Sequence, residues 1–359
     1  MDIELLKRLC DARGIPGSEG EIRELAAAAL EPLVDELRVD PLGNLIGIRR
    51  GSGPRVMVAA HMDEIGFRVS HIDDNGFLRL MSVGGNRVDA LASQRVVVSD
   101  RDAIRGVLFL EASVVRKRNE PGEKQAPRME DYYVDVGLNR EEAMRFVRVG
   151  DMVTMDRDMI ELGEGFSGKS MDDRVGVFVV IEALRSLASH GAEICVVGTV
   201  QEELGCRGAK VAAYGLCPDV AVAVDVCSAE GVPGAKDYKD SCALGKGVAL
   251  TIVDQGTISD RRLVAFVTQV AEESLIPYQI HMGARGGTDA RDIHQALAGV
   301  PTMSLSIPTR YVHSCSELVY RADVEATIAL LARFLEKAHE TTFGFGERLN
   351  SGRAASDCQ

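Results

Sequence analysis

Four nearly continuous apolar runs end in, or lead directly into, a histidine or a carboxylate, and this recurrence constrains the fold more than any other feature. The runs are PRVMVAAH (54–61), ICVVGTV (194–200), DVAVAVDV (219–226) and PTMSLSIP (301–308). A strand covered on one face alternates apolar and polar residues, whereas one covered on both faces reads as an unbroken apolar run. Helical patterns precede, separate and follow the runs: GEIRELAAAALEPLV, RVGVFVVIEALRSLA, RRLVAFVTQVAEESL and ADVEATIALLARFLEKA, the last with Asp323 expected as its N-cap. Strands alternating with helices predict an α/β domain around a largely parallel sheet.

Between about residues 67 and 160 the texture changes to short alternating runs. FRVSHIDDNGFLRLMSV is a hairpin around DDNG, and QRVVVSD, IRGVLFLE, YYVDVG and DMVTMD follow as strands, with one helix near NREEAMRFV. RKRNEPGEKQAP is expected to be a mobile loop. This pattern predicts a catalytic domain built from residues 1–66 and 161–346, a β-rich insert over 67–160 and a flexible tail over 347–359.

Composition excludes some roles. A net charge of −13 argues against nonspecific nucleic-acid binding, which depends on Lys and Arg. No apolar run approaches the roughly 20 residues that span a bilayer, and the first residues lack the pattern of a signal peptide. The eight cysteines contain no CxxC pair and are expected to be reduced and structural, in a cytoplasmic protein.

In open α/β sheets ligands bind at the carboxyl ends of the strands. HMDE (61–64), QEE (201–203), Asp225 and YVHS (311–314) all fall there, and GKSMDDR (168–174) enters a helix. Singly, each has an ordinary structural explanation; His71, His190, His281, His294 and His339 are read as surface or packing residues. Together, two histidines and three carboxylates form the mixed nitrogen and oxygen set that divalent ions such as Zn²⁺ accept. A pair of ions needs a shared carboxylate, for which Asp172 is the natural choice. No GxSxG elbow supports serine chemistry.

The motifs PGSEGEI, DPLGNLIG, AAHMDEIGF, FSGKSMDDRVGV, TVQEELGCRGAK, AVAVDV, GGTDA and RYVHS, in this order, resemble the M42 metallopeptidases, which include glutamyl and leucyl aminopeptidases and large tetrahedral particles. The resemblance covers nearly the whole chain. It implies a three-layer α/β domain of the di-zinc exopeptidase type, with an inserted barrel-like domain that mediates dimerisation. It further implies a metal-dependent aminopeptidase acting on short peptides with two divalent ions per subunit, zinc or cobalt. One ion is expected on His61, Asp172 and Asp225, and the other on Asp172, Glu203 and His313. Asp63 is expected to orient His61, Glu202 to serve as general base, and the Asp172–Asp173 peptide to be cis. Dimers are expected to build a dodecamer. Gly286–Asp289 matches a segment near the substrate pocket or is a glycine turn capping a helix, and Arg285 is read as exposed. The alternatives are a related metal-dependent hydrolase, a deacylase or one labelled a glucanase, and a non-catalytic assembly protein.

Overall fold

The computed structural model describes residues 1–98, 103–119, 126–234, 242–283 and 286–344. Arg285, the 347–359 tail and residues 120–125 of the polar stretch lie outside them.

The four apolar runs become adjacent parallel strands, in the order Glu193–Thr199, Arg55–His61, Val220–Ser228, Thr302–Arg310. Val196 and Val222 both pair with Val58, and Val224 pairs with Leu305. Antiparallel strands extend both margins of this 11-stranded sheet: Leu45–Arg49 and Glu36–Val39 on one side, Glu317–Tyr320, Gly165–Gly168 and Ile160–Leu162 on the other. Val248–Val253 branches antiparallel from Thr302–Arg310 and carries Tyr278–Met282 parallel at its other edge.

The unbroken apolar runs have a simple cause, since alternate residues feed two separate cores. Val56, Val58 and Ala60 pack with Leu6, Phe178, Leu330 and Phe334 under the helices Ile3–Asp11, Met171–Ser186 and Arg321–Lys337. Met57 and Ala59 pack on the opposite face with Ala209, Ala213 and Ile293, beneath Arg207–Leu216 and Ala290–Ile293. Three layers result, and the centre of the sheet is held from both faces.

The insert is a closed antiparallel barrel of six strands, Gly66–Ile72, Leu78–Val83, Tyr132–Asp135, Ile104–Leu110, Gln94–Val98 and Met152–Met155 in barrel order. Inward residues such as Phe67, Val69, Leu78, Val96, Leu108, Val134 and Val153 fill it. At the DDNG turn the Asp73 carboxylate accepts the N–H groups of Asn75 and Phe77 at 2.9 and 3.0 Å, and Gly76 takes φ +92°.

Two expectations need correction. Asp323 is not the N-cap of the closing helix, which begins at Arg321; its buried carboxylate instead accepts the N–H groups of Gly245 and Gly247, each at 2.7 Å. The polar stretch is not loop throughout, because Ala112–Asn119 is helical and includes its first residues. No helix among the described residues is long and apolar enough to cross a membrane. The seven cysteines among them are free, and Cys358 lies outside.

Candidate metal centre

The parallel register brings the strand ends to one rim. His61 closes its strand opposite Thr199, Asp225 lies in the neighbouring strand, and Glu202 and Glu203 form the short turn after Thr199. His313 follows Arg310 in a turn where it takes φ +62°. Asp172 and Asp173 head the helix Met171–Ser186 with non-helical backbone, and the peptide between them is cis, as expected.

Asp172 is the hub. Its Oδ1 lies 2.9 Å from His61 Nε2 and its Oδ2 3.3 Å from His313 Nε2, while His313 Nε2 is also 3.3 Å from Glu203 Oε1. Donor atoms of His61, Asp172 and Glu203 lie within 4.8 Å of one another, as do those of His61, Asp173 and Asp225. Asp173 is already committed to the backbone: its Oδ2 accepts from His61 N–H at 3.2 Å and its Oδ1 from Gly176 N–H at 3.1 Å.

A ring of further contacts fixes these groups. His61 Nδ1 bonds the main-chain oxygen of Asp63 at 2.9 Å, with the Asp63 carboxylate 3.8 Å away. That carboxylate accepts the N–H groups of Glu202 and Glu203 at 3.0 and 3.1 Å, so Asp63 ties the His61 strand end to the glutamate turn. Glu317, absent from the expected site, accepts the N–H of Asp172 at 2.9 Å and of His313 at 2.7 Å. Its place a few residues beyond the YVHS motif was the only signal for it.

The barrel also reaches the centre. Gly85 O bonds His313 Nδ1 at 3.0 Å, and a Cβ on Gly85 would stand 2.6 Å from that nitrogen. At Gly84, with φ +79°, a Cβ would meet Glu203 Oε2 at 3.1 Å. Gly85→Ala is therefore expected to push His313 aside and lower kcat/KM by about 10–100-fold, the usual range for losing a ligand's support. Steady-state kinetics and metal content check this, and an unchanged kcat/KM would show that His313 tolerates the displacement.

Glu202 lies apart from the histidine contacts. Cys206 Sγ donates to its Oε1 at 3.1 Å, and the three groups Glu202, Cys206 and Asp289 converge within 4.8 Å. Burial, the Asp289 charge and the Glu203 charge push the Glu202 carboxyl up to about 8, against an opposing pull from His61. Asp289 heads the short helix Ala290–Ile293 without capping it; one oxygen accepts the Thr199 hydroxyl and the other is buried without a hydrogen-bond partner among the described residues. Cys206 was not distinguishable in sequence from a core residue, whereas Asp289 belongs to the Gly286–Asp289 segment read either as near the substrate pocket or as a turn capping a helix.

The donor set fits divalent ions on the evidence of its own charge. Burial opposes ionisation of Asp172, yet hydrogen bonds from His313 and His61 hold it well below the usual carboxylate range. Burial lowers both histidines, but their contacts with Asp172 more than reverse this, joined by Glu203 at His313, which reaches about 12. Burial and the nearby Asp173 charge push Asp225 well up. Burial and mutual repulsion make the carboxylates of this rim compete for protons. Asp172, Glu203 and Asp225 offer carboxylate oxygens beside the imidazoles of His61 and His313, the nitrogen and oxygen donors that divalent ions such as Zn²⁺ accept.

Comparison with known proteins shows what the chain as a whole is similar to. The family description "M42 glutamyl aminopeptidase" matches residues 43–330. A lysyl aminopeptidase of Pyrococcus furiosus is 38% identical over 350 residues, covering 96% of this chain and 99% of the relative. Among solved structures, an aminopeptidase from the archaeon Desulfurococcus kamchatkensis superposes with a TM-score of 0.89 at 40% identity, covering 94% and 95% of the two chains. A TET1 peptidase of Pyrococcus horikoshii, described as assembling into a tetrahedron or a large octahedral shell, gives a TM-score of 0.82 at 31% identity over 93% and 98%.

Proposed function

Because the chain belongs to the M42 glutamyl aminopeptidase family, and so is a metal-dependent aminopeptidase, we propose that it removes N-terminal residues from short peptides at a centre holding two divalent ions. The observation that carries this reading is the reach of both Asp172 oxygens toward different histidines, the arrangement a shared carboxylate requires. His61, Asp172 and Asp225 would hold one ion and Asp172, Glu203 and His313 the other. Zinc and cobalt both suit these nitrogen and oxygen donors. When bound, such ions lower the pKa of water and polarise the scissile carbonyl.

The chain's own residues supply the rest. Glu202, held by Cys206 and by its N–H to Asp63, takes the proton from the attacking water and returns it to the leaving amine. A carboxyl whose surroundings favour the protonated form suits the second of these transfers. The acidic rim around Glu203 offers a cationic substrate amine its complement, which makes the cleavage exopeptidic. Peptides with a free amine and their N-acylated counterparts, assayed with metal-loaded and chelator-treated protein, test this reading. Metal-dependent release confined to free-amine substrates supports it; equal cleavage of blocked substrates overturns it in favour of a deacylase or endopeptidase.

The barrel is proposed to mediate dimerisation, with dimers building a larger particle like the shells described for the TET1 peptidase. A cytoplasmic location accords with free cysteines and with the lack of a membrane-crossing helix among the described residues.

The protonation state of the centre gives a stability prediction. In ion-free protein the folded Glu202 holds a proton up to about 8 that the unfolded chain releases above 4.5. Its contribution is complete below 4.5 and is lost as pH rises toward 8. His61 and His313 are raised from 6.5, so their contribution is complete below 6.5 and is lost at higher pH. Asp172 is lowered from 3.8, and its contribution stays constant over this window. The slopes add, so ion-free protein is expected to lose thermal stability from about pH 6.5 to 8. Metal loading, which displaces these protons, is expected to raise Tm and flatten the dependence. Thermal unfolding across this range with chelator and with Zn²⁺ is the check.

A further inference from the structure

A second set of metal-binding side chains lies beyond the Asp225 position and takes no part in the chemistry above. Donor atoms of Cys227, Cys242 and His281 lie within 4.8 Å of one another. Both cysteines are buried, Cys242 completely, in a small cluster with Ala249, and both are free thiols. Cys227 shares the strand Val220–Ser228 with Asp225, two residues further on and so on the same face, about 7 Å along.

Three separate chain segments supply these groups, and specific contacts fix each one. Cys242 forms a bridge with Ala229, and its carbonyl accepts the Glu230 N–H at 2.9 Å. The Gln279 side chain clasps the next residue, accepting from Ala243 N–H and donating to Ala243 O, both at 3.0 Å, and also donates to Gly247 O. Gln279 belongs to the strand Tyr278–Met282 that carries His281, so the second thiol and the imidazole are tied together. His281 Nδ1 lies 3.0 Å from Thr251 Oγ1, which in turn lies 2.9 Å from Ser306 Oγ. In the tautomer whose Nδ1–H donates to Thr251, Nε2 is left unprotonated and free to bind a metal, the usual way a histidine ligand is oriented. Burial lowers His281, which favours the neutral ring.

We propose that Cys227, Cys242 and His281 form a further metal site that takes one thiophilic ion, Zn²⁺ or its probe Co²⁺, beside the nitrogen and oxygen centre. Two thiolates and one imidazole suit zinc far better than the carboxylate-rich rim suits a soft ion. Binding replaces the two thiol protons, which pass to solvent. A water completes the coordination. The metal content of fully loaded protein thus exceeds that of the catalytic pair by one.

The test uses the full chain, stripped with chelator and reloaded with Zn²⁺ or Co²⁺. X-ray absorption on the zinc protein is expected to show sulfur scatterers at about 2.3 Å, and the cobalt protein a thiolate-to-cobalt charge-transfer band. Cys242→Ser and, separately, His281→Gln are expected to lose one equivalent of metal and the band while retaining aminopeptidase activity. Zinc is also expected to slow alkylation of both thiols in the unaltered protein. Only nitrogen and oxygen scatterers, or thiol reactivity indifferent to zinc, would overturn the proposal, as would a Cys227–Cys242 disulfide found by mass spectrometry. The sulfur signal is read from the unaltered protein and does not depend on how many ions the catalytic rim holds.

Discussion

Glu202→Gln is expected to lower kcat by about 10²–10⁴-fold, the range by which a positioned general base accelerates proton transfer. The amide preserves the size of the side chain and an oxygen to accept the Cys206 thiol, but it cannot take a proton from water. KM should change little, since Glu202 acts on the water. Metal content should stay at the unaltered level, because Glu202 lies outside the contacts that join His61, Asp172, Glu203 and His313. Steady-state kinetics beside metal analysis separates the outcomes. Activity within a few-fold of the unaltered protein would remove Glu202 from the base role; parallel loss of metal would make it a ligand.

Asp172→Asn is expected to have the larger effect. Residues that only orient a ligand cost about 10–100-fold when lost, and Asp172 stands between both histidines. Losing its charge removes the shared ligand, so activity should fall by more than about 10³-fold. Metal content should drop below two equivalents at the catalytic rim. Excess metal should not restore the rate, in contrast to chelator-stripped unaltered protein, which should recover on reloading. Full activity of the variant in excess metal would show that the ions do not share this carboxylate.

Much of this architecture was legible because burial leaves a direct mark on sequence. The runs ending at His61, at Asp225 and near Glu203 and His313 are apolar on both faces, and the two cores on either side of Val58 and Ala59 explain why. The branch of the sheet gave no such mark: Tyr278–Met282, at its edge, is short and half exposed, and Val248–Val253, paired on both sides, mixes a threonine into its run. Ala112–Asn119 was hidden because its charged residues look like loop, and Asp323 looked like a cap although its oxygens serve glycine amides from a distant segment. The ligand candidates were visible as polar residues at strand ends. Several of their supports were not, since Glu317, Cys206 and Gly85 act through contacts that only the closed fold creates.

The most direct test of the two-ion centre is anomalous diffraction from crystals of zinc-loaded protein at the metal's absorption edge. Two peaks are expected on the acidic rim, one among His61, Asp172 and Asp225 and one among Asp172, Glu203 and His313. A single peak there, or a pair that does not share Asp172, would contradict the account.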